Sequence, residues 1–250
     1  MPSMLVGLRD ISHIEDAEQQ RRDFVANVSH ELRTPLTIIK GFAETLVEDH
    51  ATLPVETRAR FLDKIVNNAQ RLHVLVEDLL ELSRLESQSE QIQSSVQSLQ
   101  QLLEEMLEPY RLRLNSEEQV LKLEFDERIG EFVFDPFRIQ QVFDNLIENG
   151  FRYAPDFTLL AVSVRYDDAN DLIQCTVADD GPGIPAKDAP HVFERFYRVD
   201  SSRTGHIGLG IGLTLVKSII EKHQGTIQLK NSDIGTTFII TLPFININLK

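Results

Sequence analysis

His30 stands out among the seven histidines of this chain because of the residues around it. Glu31 adjoins it, and Thr34 follows one helical turn later on the same side. Pro35 comes inside a helical pattern, where a proline removes a hydrogen bond and bends the helix. A lone exposed histidine is usually a surface residue without a task, and the other six histidines keep that interpretation. An exposed imidazole beside a carboxylate and a hydroxyl suits nucleophilic or acid–base chemistry, so we expect His30 to be a working residue.

Two long helical patterns carry His30 and follow it. In residues 12–49 the apolar side chains are spaced alternately by three and four, and His30 falls on the face opposite to them. The segment DHATLP breaks the pattern, and residues 55–87 repeat it. A two-helix hairpin cannot bury apolar faces this broad, whereas two hairpins in a four-helix bundle can, so we predict a homodimer through residues 12–87. The apolar positions are Val25, Val28, Leu32, Pro35, Ile39, Phe42 and Leu46 in the first helix and Leu62, Ile65, Ala69, Leu72, Val76 and Leu79 in the second.

Asn145 and Asn149, in the sequence NLIEN, are one helical turn apart and place two amides on one helix face. An amide oxygen is a hard ligand that suits Mg²⁺ beside phosphate oxygens. Arg152 and Tyr153 follow one turn later, where they are placed to contact a phosphate and a nucleoside. Two asparagines on an exposed helix face are also common without any function, so this pattern does not decide the matter alone.

A second group, DDGPGIP, begins with Asp179 at the end of a predicted strand. A carboxylate at a strand end can accept a hydrogen bond from an exocyclic amine. Gly181 and Gly183 allow a tight turn and a close approach to a ligand. An ordinary Gly/Pro turn explains the same residues equally well.

A third group, GHIGLGIGLTLVK, places Gly208, Gly210 and Gly212 before a helix. Glycines at the start of a helix present backbone N–H groups to an anion. No predicted strand leads directly into them, so the group does not fit the Rossmann dinucleotide-binding pattern.

Residues 193–205, FERFYRVDSSRTG, separate the second group from the third. They mix aromatic side chains with three arginines and polar residues. We interpret this segment as a mobile lid with a hydrophobic hinge at Phe193 and Phe196.

The elements that must position these groups alternate strands with helices. The polar stretch SQSEQIQSS lacks periodicity and predicts a linker, which we assign to residues 88–97. Residues 98–250 then form an α+β sandwich, with helices on one face of a mixed sheet. The predicted helices are 98–114, 136–152 and 212–223, and the predicted strands are 120–125, 131–134, 159–166, 172–178, 225–230 and 236–242.

Composition excludes several classes of function. A net charge of −14 argues against binding a nucleic-acid backbone or an anionic membrane surface. No apolar run approaches the ~20 residues that cross a bilayer, and no signal-peptide pattern opens the chain. A single cysteine, Cys175, permits no internal disulfide. We expect a cytoplasmic protein, or the cytoplasmic portion of a longer one, which contacts a membrane only if the full-length protein has an upstream transmembrane segment.

Taken together and in this order, the motifs resemble those of the sensor histidine kinases of two-component signalling. FVANVSHELRTPL is similar to the family's H-box, NLIENGFRYAP to its N-box, DDGPGIP to its aspartate–glycine box, FERFYR to its F-box and IGLGIGLTLVK to its second glycine box. The resemblance covers residues 12–242. The H-box is most similar to that of phosphate-regulon sensors. MLVGLRDIS (residues 4–12) resembles the closing strand of an upstream PAS sensor domain, so we assign residues 1–11 to the end of such a domain.

The resemblance implies a dimerisation and phosphotransfer domain at 12–87 and a GHKL-type ATP-binding domain at 98–250. It implies ATP and Mg²⁺ as cofactors, with Asp179 accepting from the adenine amine. It also implies that Asn149 holds the metal with support from Asn145, and that Arg152 meets phosphates in place of the usual Lys. The further nucleotide contacts implied are Tyr153, Gly181, Gly183, Gly208, Gly210, Gly212 and Leu213.

For the phosphoryl acceptor, the resemblance implies that His30 attacks the γ-phosphorus while Glu31 hydrogen-bonds the imidazole. The phosphoryl group then passes to an Asp of a response regulator receiver domain, and Thr34 orients water when the same enzyme dephosphorylates that regulator. Other GHKL ATPases, such as chaperones and topoisomerases, lack the H-box, and a non-catalytic scaffold remains the other alternative. Two positions depart from the family pattern, since Leu209 lacks the usual hydroxyl and Gly150 replaces an alanine.

Overall fold

The structure is a computed structural model that describes residues 12–49, 52–86, 92–199, 210–231 and 235–244. Its contacts divide the chain into two compact units, Met1–Glu77 and Asp78–Lys250. The strand predicted within residues 1–11 lies outside the described residues. Among the helices that the structure describes, none is both long enough and apolar enough to cross a membrane.

A helical hairpin dominates the first unit. Helix α1 (Ser12–Asp49) and helix α2 (Val55–Glu86) match the two predicted helices. Helix α1 continues through Pro35, which is buried. The ring of Phe42, in the predicted stripe of α1, packs against that of Phe61 on α2 with centroids 4.8 Å apart. Phe61 lies outside the stripe predicted for α2, and Leu62 and Val76 of that stripe are exposed, so the contact face of α2 is turned away from the prediction.

The hairpin leaves part of its apolar surface uncovered, as the width of the stripes predicts. Leu75 is buried, but the side chains of Leu62 and Val66 are 54% and 64% exposed. Val25, at the start of the predicted stripe, is also exposed. The described hairpin therefore presents apolar side chains to its surroundings, which is typical of an association surface.

The second unit has the predicted alternation of strands and helices, and each predicted boundary lies within three residues of the observed one. One prediction is wrong at its edge, because residues 95–97 of the expected linker form a strand. This strand has no alternating apolar pattern and exists through its pairing with the strand at Phe132–Phe134. The elements are β1 (Ser95–Gln97), α3 (Leu99–Arg111), β2 (Val120–Phe125), β3 (Phe132–Phe134), α4 (Pro136–Tyr153), β4 (Leu159–Asp167), β5 (Leu172–Asp179), a 3₁₀ turn (Ala189–His191), α5 (Gly212–Lys222), β6 (Thr226–Asn231) and β7 (Thr236–Pro243).

The main sheet has the strand order β2-β4-β5-β7-β6. Strands β2 and β4 are parallel and the other neighbours are antiparallel, which confirms the predicted mixed sheet. Alternate residues of β4 (Leu160, Val162 and Val164) are buried, and α4 and α5 contribute their own apolar faces to the same core. The sheet thus supports α4 and α5, which carry the predicted contacts Asn145, Asn149, Arg152, Tyr153, Gly212 and Leu213.

The first turn of α4 is tied to Gln93, in the segment that precedes β1. Asp135 caps the helix by accepting a hydrogen bond from the backbone N–H of Arg138 at 3.1 Å. The same carboxylate accepts the backbone N–H of Gln93 at 2.9 Å. The backbone N–H of Asp135 donates to Nε2 of His223 at 3.3 Å, and Nδ1 of that histidine bonds the carbonyl oxygen of Ile219 at 2.8 Å. The buried carboxylate of Asp135 and the side chain of His223 therefore join the segment that precedes β1, the start of α4 and the end of α5.

Candidate functional site

His30 lies exposed on α1, as predicted from the apolar spacing. The hydroxyl of Thr34 donates to the backbone carbonyl of His30 at 3.2 Å, so both side chains occupy one face of the helix. The carboxylate of Glu31 turns toward α2, where Nη2 of Arg71 lies 3.5 Å from its Oε2. An imidazole, a carboxylate and a hydroxyl are thus placed within one helical turn, with a guanidinium opposite.

Asp179 is the last residue of β5, at the edge of the core. Its carboxylate accepts the backbone N–H of Gly181 at 2.9 Å. The strand register sets Thr236 of β7 directly opposite, and both the N–H and the hydroxyl of that threonine bond the carboxylate. Burial raises the pKa of Asp179. A half-buried carboxylate fixed by three donors is a rigid acceptor for a ligand's N–H group.

Close backbone approach around Asp179 explains the glycines of this corner. A Cβ on Gly181 would lie 2.2 Å from the Cβ of Ala154, just beyond the end of α4. Gly235 has a φ of +77°, and a Cβ there would lie 2.0 Å from the carbonyl oxygen of Asp179. Gly183 also has a positive φ, +72°. The predicted tight turn after Asp179 is therefore observed, and it packs against the end of α4.

The amides of α4 lie beside the start of α5. Asn145, Asn149 and Arg152 share one flank of the helix, next to its buried stripe. The amide nitrogen of Asn145 donates to the carbonyl of Gln141 at 2.9 Å. Its Oδ1 lies 2.7 Å from the place where a Cβ on Gly212 would stand. Glycine at the first position of α5 thus leaves room for the Asn145 oxygen.

The start of the predicted lid is fastened to the beginning of α5 and the residues just before it, while residues 200–205 of the lid lie outside the described residues. The backbone N–H of Phe196 donates to the carbonyl of Gly210 at 3.0 Å, and the hydroxyl of Thr214 donates to the carbonyl of Phe193 at 3.1 Å. Gly210 has a φ of +70°, and a Cβ there would lie 2.5 Å from the carbonyl oxygen of Tyr197. Residues 193–197 are therefore held against residues 210–214.

Two of the other predicted nucleotide contacts have simple placements. Leu213 is half-buried in the first turn of α5, and Tyr153 is exposed at the last residue of α4. Gly208 lies outside the described residues, as does Leu209. The hinge proposed at Phe193 has its ring against Phe238, with centroids 6.2 Å apart, which anchors one end of the lid to the sheet.

Helix α4 spans the distance between the two halves of this corner. Ala154, at its end, touches the turn after Asp179, and Asn145 faces the start of α5. They are nine positions apart, which corresponds to about 13 Å of helix. That length suits an elongated ligand with an amine at the Asp179 end and anionic groups at the end where Asn145 and the N-terminus of α5 meet.

Two family models match this chain. The model for "Histidine kinase-, DNA gyrase B-, and HSP90-like ATPase" matches residues 134–246, and that for the "His Kinase A (phospho-acceptor) domain" matches residues 20–88. The chain belongs to the histidine kinase family. His30 falls within the phospho-acceptor match, and Asp179, Asn145 and Gly212 fall within the ATPase match.

Related proteins agree with this family. Sensor histidine kinase WalK of Bacillus subtilis (strain 168) is 34% identical over 243 residues, which are 96% of this chain and 39% of WalK. The solved structure of the Acinetobacter baumannii histidine kinase AdeS is 29% identical, with a TM-score of 0.69 over 87% of this chain and 98% of that one. Histidine kinase ThkA, solved in complex with response regulator protein TrrA, shares the fold at 22% identity and a TM-score of 0.71, over 96% of this chain and 68% of that one. The chain spans about two fifths of the length of the curated relatives it matches.

The sequence patterns did not indicate three residues that surround Asp179: Ala154, Gly235 and Thr236. The last two stand in IGTTF, where a glycine immediately precedes a strand that begins with threonine, and that pair was the available signal. Their role depends on the pairing of β5 with β7, which joins Thr236 to a residue 57 positions earlier in the chain. The narrower assignment to phosphate-regulon sensors stays a prediction.

Proposed function

We propose that this chain is an ATP-dependent protein histidine kinase that phosphorylates His30 and passes the phosphoryl group to an Asp of a response regulator. The observation that carries the proposal is the presence, in one chain, of an exposed His30 flanked by Glu31 and Thr34 and of the buried Asp179 corner beside α4. The first supplies an acceptor and the second supports a nucleotide site.

At the nucleotide site, Asp179 accepts the adenine amine, and Thr236 and Gly181 hold its carboxylate in place. The phosphates extend along α4 toward Asn149 and the start of α5, where backbone N–H groups favour anions. Mg²⁺, when bound, neutralises charge on the phosphate oxygens. Asn149 would hold it with Asn145 in support, because amide oxygens suit such a hard cation and glycine at position 212 leaves room for the Asn145 oxygen.

At the acceptor, a nitrogen of His30 forms a bond to the γ-phosphorus while the bond from that phosphorus to the ADP oxygen breaks. The electron pair of the broken bond leaves with ADP. Glu31 hydrogen-bonds the imidazole and raises its nucleophilicity. Positioning and charge neutralisation supply most of the rate in phosphoryl transfer, so the chemistry makes few further demands on the chain.

The test is incubation of the chain with γ-labelled ATP and Mg²⁺. We expect label that is acid-labile and base-stable, lost in His30→Gln and retained in the matched control His73→Gln, which removes an exposed histidine of α2. Asp179→Asn should abolish nucleotide binding while the unit stays folded. Absence of label on folded, dimeric protein, or label that survives His30→Gln, contradicts the proposal.

We further propose that the chain works as a homodimer through residues 12–87. The exposed Leu62 and Val66 support this, because a second hairpin would cover them in a four-helix bundle. A receiver domain is the partner expected by analogy with ThkA, whose structure contains a response regulator. Light scattering should give twice the chain mass, and Leu62→Glu with Val66→Glu should reduce it to one.

Dephosphorylation of the regulator is a second activity that we propose. Thr34 places a hydroxyl one turn after His30, where it can orient water toward a phosphorylated receiver. Thr34→Ala should then spare autophosphorylation and remove dephosphorylation, with His73→Gln again as control. Loss of both activities in Thr34→Ala contradicts this role.

We propose a cytoplasmic location for these activities. We also propose that the chain has no nucleic-acid partner, because its net charge of −14 disfavours binding to a phosphate backbone.

A further inference from the structure

Glu31 makes a cross-helix contact that the kinase chemistry above does not use. Nη2 of Arg71, on α2, lies 3.5 Å from Oε2 of Glu31, on α1. The rings of Phe42 and Phe61 form a second cross-helix contact. Phe42 lies eleven residues after Glu31 and Phe61 lies ten residues before Arg71, which is one antiparallel register. This register places Arg71 at the level of His30 rather than at an end of the hairpin.

The pair differs from the contacts of titratable side chains that lie along single helices of the hairpin. Lys40–Glu44 and His73–Glu77 join residues four apart on one helix, and all four side chains are more than half exposed. Such pairs contribute little, because water and salt screen them. The side chains of Arg71 and Glu31 are only 24% and 34% exposed, so their attraction is screened less. Arg71 therefore constrains where the Glu31 carboxylate sits.

We infer that Arg71 is a positioning residue for the phosphoryl acceptor, acting on His30 through Glu31. This inference rests on the proposed kinase function. A glutamate side chain has several rotamers, and only some of them place its carboxylate beside the neighbouring imidazole. The guanidinium holds the carboxylate from the α2 side, and it places a positive charge near the carboxylate when the dianionic phosphoryl group arrives at His30. Without that charge, the carboxylate and the phosphoryl group repel each other.

The experiment compares Arg71→Ala and Arg71→Lys with Arg60→Ala, a matched control that removes an exposed arginine from the same helix. Correct placement of a proton acceptor contributes a large factor to the rate, so Arg71→Ala should lower kcat for autophosphorylation by about 10-fold and leave KM for ATP unchanged within about two-fold. Arg71→Lys keeps the charge and should recover part of the rate. Arg60→Ala should behave as the wild type.

A double-mutant cycle separates positioning from a structural role. In a Glu31→Gln background the carboxylate is absent, so Arg71→Ala should change kcat by less than about two-fold. The ¹⁵N shifts of the His30 imidazole provide a second readout that does not depend on turnover: they should change in Arg71→Ala and stay unchanged in Arg60→Ala.

Equal loss of rate from Arg71→Ala in both backgrounds, or unchanged rate and imidazole shifts in Arg71→Ala, overturns the inference while the kinase function stands. A wild-type chain that acquires no acid-labile label overturns the kinase function and this role with it. If Arg71→Ala does not fold, Arg71→Lys is used in its place. The role is overturned if both Arg71→Lys and Glu31→Gln have the same rate and the same imidazole shifts as the wild type.

Discussion

Gly212 and Gly150 both make close contacts at α4, but an added methyl group would meet different neighbours. At Gly212 a Cβ would stand 2.7 Å from Oδ1 of Asn145, the free end of a polar side chain. At Gly150 it would stand 3.0 Å and 3.2 Å from the two Cδ atoms of Leu160, a side chain that is 1% exposed. The two Gly→Ala variants therefore test the nucleotide site and the core separately.

The magnitudes follow from these contacts. Alanine in place of glycine favours a helix by about 1 kcal/mol. In Gly212→Ala the Asn145 amide must turn and loses its bond to Gln141, which costs about 0.5–1.5 kcal/mol, so the free energy of unfolding stays nearly constant. The displaced amide no longer supports the metal and phosphates, and one lost hydrogen bond corresponds to roughly 3- to 10-fold weaker nucleotide binding. In Gly150→Ala the overpacking of Leu160 costs about 1–3 kcal/mol and outweighs the helical gain.

Urea denaturation measures the free energy of unfolding, and calorimetric titration with ADP and Mg²⁺ measures affinity. Gly212→Ala should bind nucleotide more weakly at nearly unchanged stability, and Gly150→Ala should be less stable and bind normally while folded. If Gly212→Ala binds as tightly as the wild type, Asn145 does not support the nucleotide. If Gly150→Ala is as stable as the wild type, Leu160 adjusts at little cost and the packing argument fails.

Two further predictions concern the junction at the start of α4. Asp135→Ala leaves the N–H groups of Arg138 and Gln93 without their acceptor, so it should lower the free energy of unfolding by about 2–3 kcal/mol. The control Ser98→Ala removes only the cap of α3 and should cost about 1 kcal/mol or less. Equal losses in urea denaturation would contradict this prediction. Burial lowers the pKa of His223, so the unfolded chain binds a proton at this histidine at a higher pH than the folded chain does. The contribution of His223 to the free energy of unfolding should therefore be fully present above pH 6.5 and decline as pH falls below that value. His223→Gln should flatten this dependence, measured as Tm against pH.

Periodicity predicted the helices and the main-sheet strands of the second unit because each buries one face against a continuous core, and it predicted the two hairpin helices because their apolar residues repeat at helical spacing. Strand β1 escaped prediction for the opposite reason. Its three residues are exposed and carry no alternation, so only the distant β3 specifies it. Local pattern therefore succeeded where burial repeats along the chain, and failed where a short segment takes its conformation from a partner far away in sequence.

The candidate site divides in the same way. Asp179, Asn149 and Gly212 belong to compact motifs, so the residue types that bind a nucleotide are visible in short stretches of sequence. The roles of Thr236 and Arg71 are not visible in this way, because each acts through a residue on another element. Positioning residues of this kind follow from strand register and helix register, and a single sequence fixes neither until the elements are paired.

The two halves of the proposed reaction therefore depend on different sources of order. The nucleotide corner rests on a core inside the second unit, since α4, α5 and the sheet bury their apolar faces against one another. The acceptor rests on a hairpin whose apolar side chains, such as Leu62 and Val66, stay exposed within one chain. Because the Glu31–Arg71 contact joins α1 to α2, the register of these two helices also sets the geometry around His30. We therefore expect nucleotide binding to depend on the core of the second unit, and phosphoryl acceptance to depend on the register of the two hairpin helices.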